Sequence, residues 1–206
     1  MLKRVILSCG ALAKELRHIT SHQASMDALV FVPPSQHLDP TRLRTELVRR
    51  LTLLQKKYEQ IFVLFGLCFP DMDQILARFD AKRIRGEHCL EIAGGQLFWR
   101  IMKESPGSYF LIPSWCFNFR KMTVKGLCLE EIPAMKSLMF QNYTQVVYFD
   151  TLIYGEIDSR AKTIADYLNL PLRIERVGLT NILERIEELY VNASDTPAPT
   201  TPVDAG

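Results

Sequence analysis

The sequence predicts an α/β fold in which a mainly parallel sheet carries helices on both faces, as a Rossmann-like three-layer sandwich. Two observations predict it. Short β-branched apolar runs alternate with segments whose apolar residues recur at helical spacing, and Gly and Pro residues separate the two kinds of segment. A chain of 206 residues has about the size of one such domain. We expect one α/β domain over residues 1–191 and a disordered tail over residues 192–206, which are rich in Pro, Thr and Ala.

The first half of the chain shows the alternation most clearly. Pro33-Pro34 ends one apolar run, and Asp39-Pro40 is typical of the start of a helix. Leucines four, four and three residues apart then form one stripe on that helix. The elements predicted here are, in order, a strand at 4–8, a helix at 11–18, a strand at 28–32, a helix at 41–58, a strand at 61–65 and a helix at 71–79.

The second half continues the pattern less regularly. Gly94-Gly95 interrupts a helical segment, and Pro106-Gly107 is typical of a turn before the next strand. The last helix places alternating Glu and Arg on its exposed side. The predicted elements are a short strand at 82–85, helical structure at 87–103, a strand at 109–112, helices at 115–122 and 134–142, a strand at 145–149, a helix at 159–168, a strand at 171–175 and a helix at 181–190.

Charge and cysteine content limit the classes of function. With 25 basic and 23 acidic residues the net charge is +2, which does not favour a nucleic-acid or anionic membrane partner. Five widely spaced cysteines are not typical of a secreted disulfide framework, so we expect reduced thiols. Residues 1–13 lack the apolar length of a secretion signal, and the longest apolar run, 61–70, is far shorter than the roughly 20 residues that span a bilayer. These features predict a cytoplasmic protein.

Cysteine and histidine side chains follow several predicted strands. Cys9 follows the first predicted strand, Cys68 the third, and His88-Cys89 the fourth. Because the carboxyl ends of parallel strands share one edge of a sheet, we expect these side chains to converge there. Thiolate and imidazole ligands favour zinc, iron or a metal-containing cofactor. The sequence therefore predicts a metal site formed by Cys9, Cys68, His88 and Cys89, with Glu91 as a candidate base.

Two further residues lie near the same predicted edge, and a simpler interpretation stays open. His37 follows the second strand and is a candidate contact to the cofactor or substrate. Cys116 lies just beyond another predicted strand and is a possible additional ligand. Cysteines also pack as small hydrophobic residues in α/β cores, or serve as isolated reactive thiols. No pair of cysteines has the spacing of a zinc ribbon.

Several short segments resemble those of the family known as domain of unknown function 1638, over about residues 4–190. They are residues 8–12 (SCGAL), 58–63 (YEQIFV) leading to Cys68, 85–91 (RGEHCLE), 106–111 (PGSYFL) and 142–144 (NYT). The resemblance implies no settled activity. It implies a connection with corrinoid-dependent methyl transfer, since members of that family look like companions of such systems.

These observations support three hypotheses for function. The first is a protein that binds a metal or metal-containing cofactor, which the family resemblance would make an accessory to corrinoid-dependent methyl transfer. The second is a metal- or thiol-dependent group-transfer enzyme resembling a methyltransferase. The third is a scaffold, with a protein partner, whose cysteines are merely packed. The expected partners are accordingly a small molecule or metal cofactor, a protein partner being possible, with no nucleic acid and no membrane.

Overall fold

Strands and helices alternate along the chain. A computed structural model describes residues 3–22, 28–155 and 157–194. The elements are, in chain order, β1 (Arg4–Cys9), a 3₁₀ turn (Gly10–Leu12), α1 (Ala13–His22), β2 (Ala28–Val32), a second 3₁₀ turn (Pro34–Leu38), α2 (Pro40–Leu54), β3 (Gln60–Leu64), α3 (Met72–Ala77), β4 (Lys82–Arg83), α4 (Cys89–Gly94), α5 (Gln96–Glu104), β5 (Ser108–Leu111), α6 (Pro113–Phe119), a π-helical segment (Arg120–Lys125), α7 (Pro133–Phe140), β6 (Gln145–Asp150), α8 (Asp158–Leu168), β7 (Leu172–Arg176) and α9 (Thr180–Ser194).

The strands divide between two parallel sheets. One sheet has the order β2-β1-β3-β4 and the other β5-β6-β7, and every strand pair is parallel. The predicted α/β architecture with parallel strands and flanking helices is confirmed. The strands do not form one continuous sheet, however. β4 is two residues long, and among the described strands it pairs with β3 alone, so the first sheet ends there.

β1 is the central strand of the first sheet. It pairs with β2 on one side and with β3 on the other, and its residues from Val5 to Cys9 are buried. A strand covered on both faces is apolar almost throughout, which explains why its sequence does not alternate. In the register of the sheet Cys9 lies opposite Val32, and Ser8 lies opposite Leu64. The segments that follow these three strands therefore leave the sheet at one edge.

β6 joins the two sheets into one packed structure. Val147 and Phe149 belong to the hydrophobic core that surrounds the first sheet, whereas Val146 and Tyr148 belong to a second core around the other sheet. Successive side chains of a strand point to opposite faces, so β6 contributes alternately to each core. The second sheet thus packs against the core of the first through one face of β6.

α2 shows how the local sequence directs a helix. The Asp39 carboxylate accepts hydrogen bonds from the backbone N–H groups of Thr41 and Arg42, at 3.0 and 3.1 Å, and Pro40 occupies the first turn. The predicted leucine stripe is buried against the sheet. The helix ends at Leu54, four residues before the predicted end, because residues 55–57 form a turn closed by hydrogen bonds to the Leu54 carbonyl.

The last helix is slightly longer than predicted. α9 runs to Ser194 and so includes the first three residues of the predicted tail. Residues 195–206 lie outside the described part of the chain, and their disorder stays a prediction. Within the described residues, no helix combines the length and apolar character that crossing a bilayer requires.

Candidate functional site

Cys9 lies at the carboxyl end of the central strand. Its side chain is buried, with 3% of its surface exposed. The Cys9 Sγ atom accepts a hydrogen bond of 3.3 Å from the backbone N–H of Ala11, at the start of the first 3₁₀ turn. The strand and this turn together hold the thiol at the edge where β1, β2 and β3 end.

Cys68 reaches the same edge through the loop that follows β3. The backbone N–H of Leu67 donates a 2.7 Å hydrogen bond to the carbonyl of Glu87. Gly66 lies so close to the same carbonyl that a Cβ atom there would be 2.3 Å from its oxygen. A residue without a side chain is therefore required where the loop after β3 meets the segment that leads into Cys89.

His37 contacts both thiols from the second 3₁₀ turn. Its Nε2 atom is 3.4 Å from Cys68 Sγ, and both ring nitrogens are 3.9 Å from Cys9 Sγ. Its Nδ1 atom is 3.2 Å from the carbonyl oxygen of Pro34. Since that oxygen can only accept, Nδ1 carries the proton and the lone pair of Nε2 faces Cys68. The ring also stacks on Phe65.

Cys89 begins α4 and completes the group. It lines a cavity of about 10 Å³ together with Cys9 and His37, which is about the room needed for one water molecule. We call the four residues Cys9, His37, Cys68 and Cys89 the thiol–imidazole cluster. The sequence predicted that the three cysteines converge, and the structure brings them together at the common edge of β1, β2 and β3.

Burial keeps the cluster uncharged. Desolvation raises the pKa of Cys68 to about 11 and that of Cys89 to about 12, and it also raises the pKa of Cys9. The neighbouring thiols raise the pKa of Cys9 and Cys89 further, whereas Arg83 opposes the rise at Cys68. Burial lowers the pKa of His37. The thiols are therefore protonated at neutral pH, which makes them weak nucleophiles without a cation beside them.

The distances from His37 to the sulfurs of Cys9 and Cys68 are close to those in a soft-metal site. A tetrahedral centre with bonds of about 2.3 Å to sulfur and about 2.0 Å to nitrogen keeps these ligands about 3.5 Å apart. The sulfur–nitrogen distances of 3.4 and 3.9 Å lie near that value. Within the described residues, no three His, Cys, Asp or Glu side chains are already arranged so that they could hold a metal ion. A shared metal would therefore require rotation of the thiols toward one point.

The side chains of His88 and Glu91 make other contacts. His88 is exposed, and its ring lies edge-on to Phe98 with 6.0 Å between centroids. The Glu91 carboxylate accepts a 2.7 Å hydrogen bond from the backbone N–H of Glu87 and lies 4.0 Å from the guanidinium of Arg185. These contacts hold the start of α4. The ligand role of His88 and the base role of Glu91 stay predictions.

Cys116 lies on α6, on the side of the hydrophobic core that surrounds the second sheet. It is buried in the core of that sheet and lines a different cavity with Phe117 and Arg160. The structure therefore does not bring Cys116 to the other thiols.

An aromatic cavity of about 240 Å³ adjoins the thiol–imidazole cluster. The sequence analysis did not predict this cavity, to which β5, α6 and α7 contribute side chains. The signal was the density of aromatic residues over 109–143, which does not reveal a cavity by itself. The lining residues are His37, Leu38, Tyr109, Trp115, Phe119, Met122, Thr123, Leu127, Met139, Phe140 and Tyr143.

Comparison with known proteins places the chain in a family. No curated protein and no solved structure matches it. A family model described as "Protein of unknown function (DUF1638)" matches residues 31–186, which include the end of β2, all of β3 to β7 and three of the four cluster residues. The match covers most of the chain and agrees with the resemblance found in its sequence motifs. The chain therefore belongs to the DUF1638 family.

Proposed function

We propose that this protein binds a soft metal ion, zinc or iron, or a cofactor that contains one, through its thiol–imidazole cluster. The observation that carries the proposal is the position of His37, whose Nε2 lone pair faces Cys68 at 3.4 Å with Cys9 at 3.9 Å. Its other nitrogen donates to a backbone carbonyl. Metal-binding histidines commonly have this second hydrogen bond, which fixes the tautomer and the ring orientation.

The size and polarity of the surroundings support a small ion in this place. The cavity between Cys9, His37 and Cys89 has room for about one water molecule. Three sulfur atoms and one imidazole are the donor types that zinc and iron accept in tetrahedral sites. Binding would deprotonate the thiols, so that a metal would replace the uncharged cluster with a charged, coordinated one.

A thiol-dependent enzyme has less support than a metal-binding protein. An uncoordinated catalytic thiol generally has a lowered pKa and a cationic neighbour, whereas burial raises the pKa of all three cluster thiols. The connection with corrinoid-dependent methyl transfer that the family resemblance implies stays a prediction.

Metal analysis of anaerobically purified protein tests the proposal directly. We expect about one zinc or iron per chain after reconstitution, as four protein ligands would support. In the cobalt-substituted protein, the thiolate-to-metal absorption should fall with each Cys→Ser change in the cluster. Cys116→Ser is the matched control and should leave this absorption unchanged.

His37→Ala and His88→Ala separate the two candidate imidazoles. We expect His37→Ala to weaken metal binding at least about tenfold while His88→Ala binds as the wild type does. The thermal unfolding of both variants shows whether each one folds. The opposite ranking would make His88 the ligand and contradict the proposed cluster. Less than about 0.1 metal per chain in the reconstituted wild type would overturn the proposal.

A further inference from the structure

The aromatic cavity and the small space at the thiol–imidazole cluster are adjacent. His37, Trp115 and Met122 line both the aromatic cavity and the small space beside Cys9 and Cys89. A molecule in the aromatic cavity would therefore place one end against the His37 ring.

The lining of the aromatic cavity favours an apolar occupant. Side chains of Asp, Glu, Lys and Arg do not occur among its described lining residues. The polar groups there are the imidazole of His37, the hydroxyl of Thr123 and the phenols of Tyr109 and Tyr143. Small-molecule sites commonly combine such an apolar lining with a few polar groups that orient the ligand.

The arrangement of the rings favours an uncharged molecule over a cation. Tyr109 packs edge-to-face with Phe119, Phe140 and Tyr143, at centroid distances of 6.5, 5.4 and 5.3 Å and interplanar angles of 73 to 82°. A cage for a quaternary ammonium presents its ring faces to the cation. Here the rings use edges and faces to pack against each other, and no carboxylate of the lining offsets a positive charge.

We propose that the aromatic cavity binds a small, uncharged, apolar organic molecule with one end beside His37. A volume of about 240 Å³ exceeds the roughly 150 Å³ cavity that accommodates benzene, so a ring with a short substituent, or a branched chain of similar size, would fit. Binding to the cavity stands on the lining alone. The placement of the occupant beside a bound metal rests on the proposed function.

A pair of probes with the same shape tests the charge of the ligand. The uncharged 3,3-dimethylbutan-1-ol and the cation choline differ mainly in a carbon replaced by a positively charged nitrogen. We expect ligand-observed NMR to show saturable binding of the alcohol at least about tenfold tighter than that of choline, because the cation would lose its hydration without gaining a counter-charge. Equal or tighter binding of choline, or no saturable binding of the alcohol in the millimolar range, would overturn the proposal.

The two tryptophans allow the binding site to be located. Trp99 is 42% exposed and lies outside the aromatic cavity, so Trp99→Phe leaves Trp115 as the single reporter. In that variant the alcohol should change the emission of Trp115 with the same saturation curve as the NMR signal. A saturable NMR signal without any change in Trp115 emission would place the ligand elsewhere and contradict the proposal.

Filling the cavity from its exposed side provides a matched pair of variants. Met139 lines the cavity and is 40% exposed, whereas its neighbour Leu138 is 64% exposed and does not line it. Met139→Trp should reduce alcohol binding at least about tenfold by occupying the site, and Leu138→Trp should not. Equal binding to both folded variants would overturn the proposal. Because Met139 is not in the cluster, both variants should keep the wild-type metal content, so a failure of the metal proposal is visible separately.

Discussion

Two buried polar clusters in this protein are built in different ways. In the thiol–imidazole cluster the contacts are sulfur–nitrogen distances of 3.4 to 3.9 Å between side chains from separate segments of the chain. The second cluster surrounds Glu15 of α1, whose carboxylate accepts hydrogen bonds from the hydroxyls of Thr151 and Tyr154, at 3.1 and 3.3 Å. We call Glu15, Thr151 and Tyr154 the carboxyl cluster. It joins a helix next to the first sheet to the loop that follows β6.

The difference between the clusters indicates which one is available to a ligand. The carboxyl cluster uses its strong acceptor internally, between two parts of the fold, so its role is structural. The thiols make only weak sulfur contacts, although sulfur is a good ligand for soft metals. A small space also remains between Cys9, His37 and Cys89. Polar groups without strong internal partners are therefore the better candidates for function.

Gly66→Ala should have the largest effect, because it acts on the backbone contact that brings Cys68 to the cluster. The added Cβ would lie 2.3 Å from the Glu87 carbonyl oxygen, which already accepts the hydrogen bond from Leu67. We expect the free energy of unfolding to fall by about 3 kcal/mol or more. Chemical denaturation measures this loss, and metal binding should be lost in the same variant.

Gly155→Ala is the control that separates steric contact from backbone strain. Gly155 has a φ of 65°, but no atom of the described residues lies within 4 Å of its added Cβ. We expect a cost of about 1 kcal/mol from the left-handed conformation alone, with normal metal binding. If Gly66→Ala is no more destabilising than Gly155→Ala, then the contact between the two loops does not position the thiols.

Metal addition should stabilise the folded protein through the thiol–imidazole cluster, and the carboxyl cluster should not affect this gain. At a free metal concentration about 100-fold above the dissociation constant, the wild type should gain about 3 kcal/mol in the free energy of unfolding. Glu15→Gln should gain the same amount, whereas Cys68→Ser should gain much less. Thermal unfolding with and without metal measures each gain. An equal gain in Cys68→Ser would mean that the metal binds outside the thiol–imidazole cluster.

The sequence predicted the convergence of the thiols because it depends on topology. Cys9 and Cys68 follow strands whose apolar runs are readily recognised, and parallel strands end at one edge. The role of His37 depends instead on the hydrogen bond from Nδ1 to Pro34, which turns the ring toward the sulfurs. Apolar periodicity contains no information about that rotation, so His37 was predicted only as a contact to the cofactor or substrate.

The division into two sheets and the aromatic cavity were beyond what the sequence could predict. Residues 82–85 were predicted as a short strand, but the strand has two residues and pairs at two positions. Whether such a strand has a second neighbour depends on long-range packing. The aromatic cavity likewise combines β5, α6 and α7 with the turn that contains His37. Each segment looks like ordinary core or surface when it is considered alone.

Glu15→Gln should remove a pH dependence of stability that arises in the carboxyl cluster. Burial is the main cause of a raised pKa for Glu15, against the opposing hydroxyls of Thr151 and Tyr154 and the nearby Lys14. Because the pKa of Glu15 is raised in the folded state, the protonated carboxyl contributes its full stability below the ordinary pKa of a glutamate. That contribution is lost as the pH rises through the pKa of Glu15 in the folded protein. We therefore compare the free energy of unfolding of Glu15→Gln with that of the wild type at each pH. This difference should favour the variant by about 1 kcal/mol more at pH 8 than at pH 4.

Tyr154→Phe should increase the pH dependence of stability that Glu15→Gln removes. It removes a hydroxyl that donates to the Glu15 carboxylate at 3.3 Å and lowers its pKa. The loss of stability between pH 4 and pH 8 should then become steeper than in the wild type. Denaturation curves across this range, for the wild type and both variants, measure the slope. The same slope in all three proteins would show that Glu15 does not titrate within the carboxyl cluster.

Glu46→Gln should have the smallest effect and the opposite dependence on pH. Glu46 lies on the outer side of α2, where Arg49 holds it with two bonds of 2.8 Å and Arg50 adds another of 2.6 Å. These hydrogen bonds lower the pKa of Glu46 to about 2, with Arg49 as the main cause. The stabilisation is therefore present above the ordinary pKa of the carboxyl and is lost as the pH falls toward 2. Because solvent screens such pairs, we expect Glu46→Gln to cost only about 0.5 kcal/mol at neutral pH and low salt, and less in 1 M salt. A loss as large as that of Gly66→Ala would mean that α2 depends on its surface charges, and not on its buried leucine stripe, to stay packed beside the cluster.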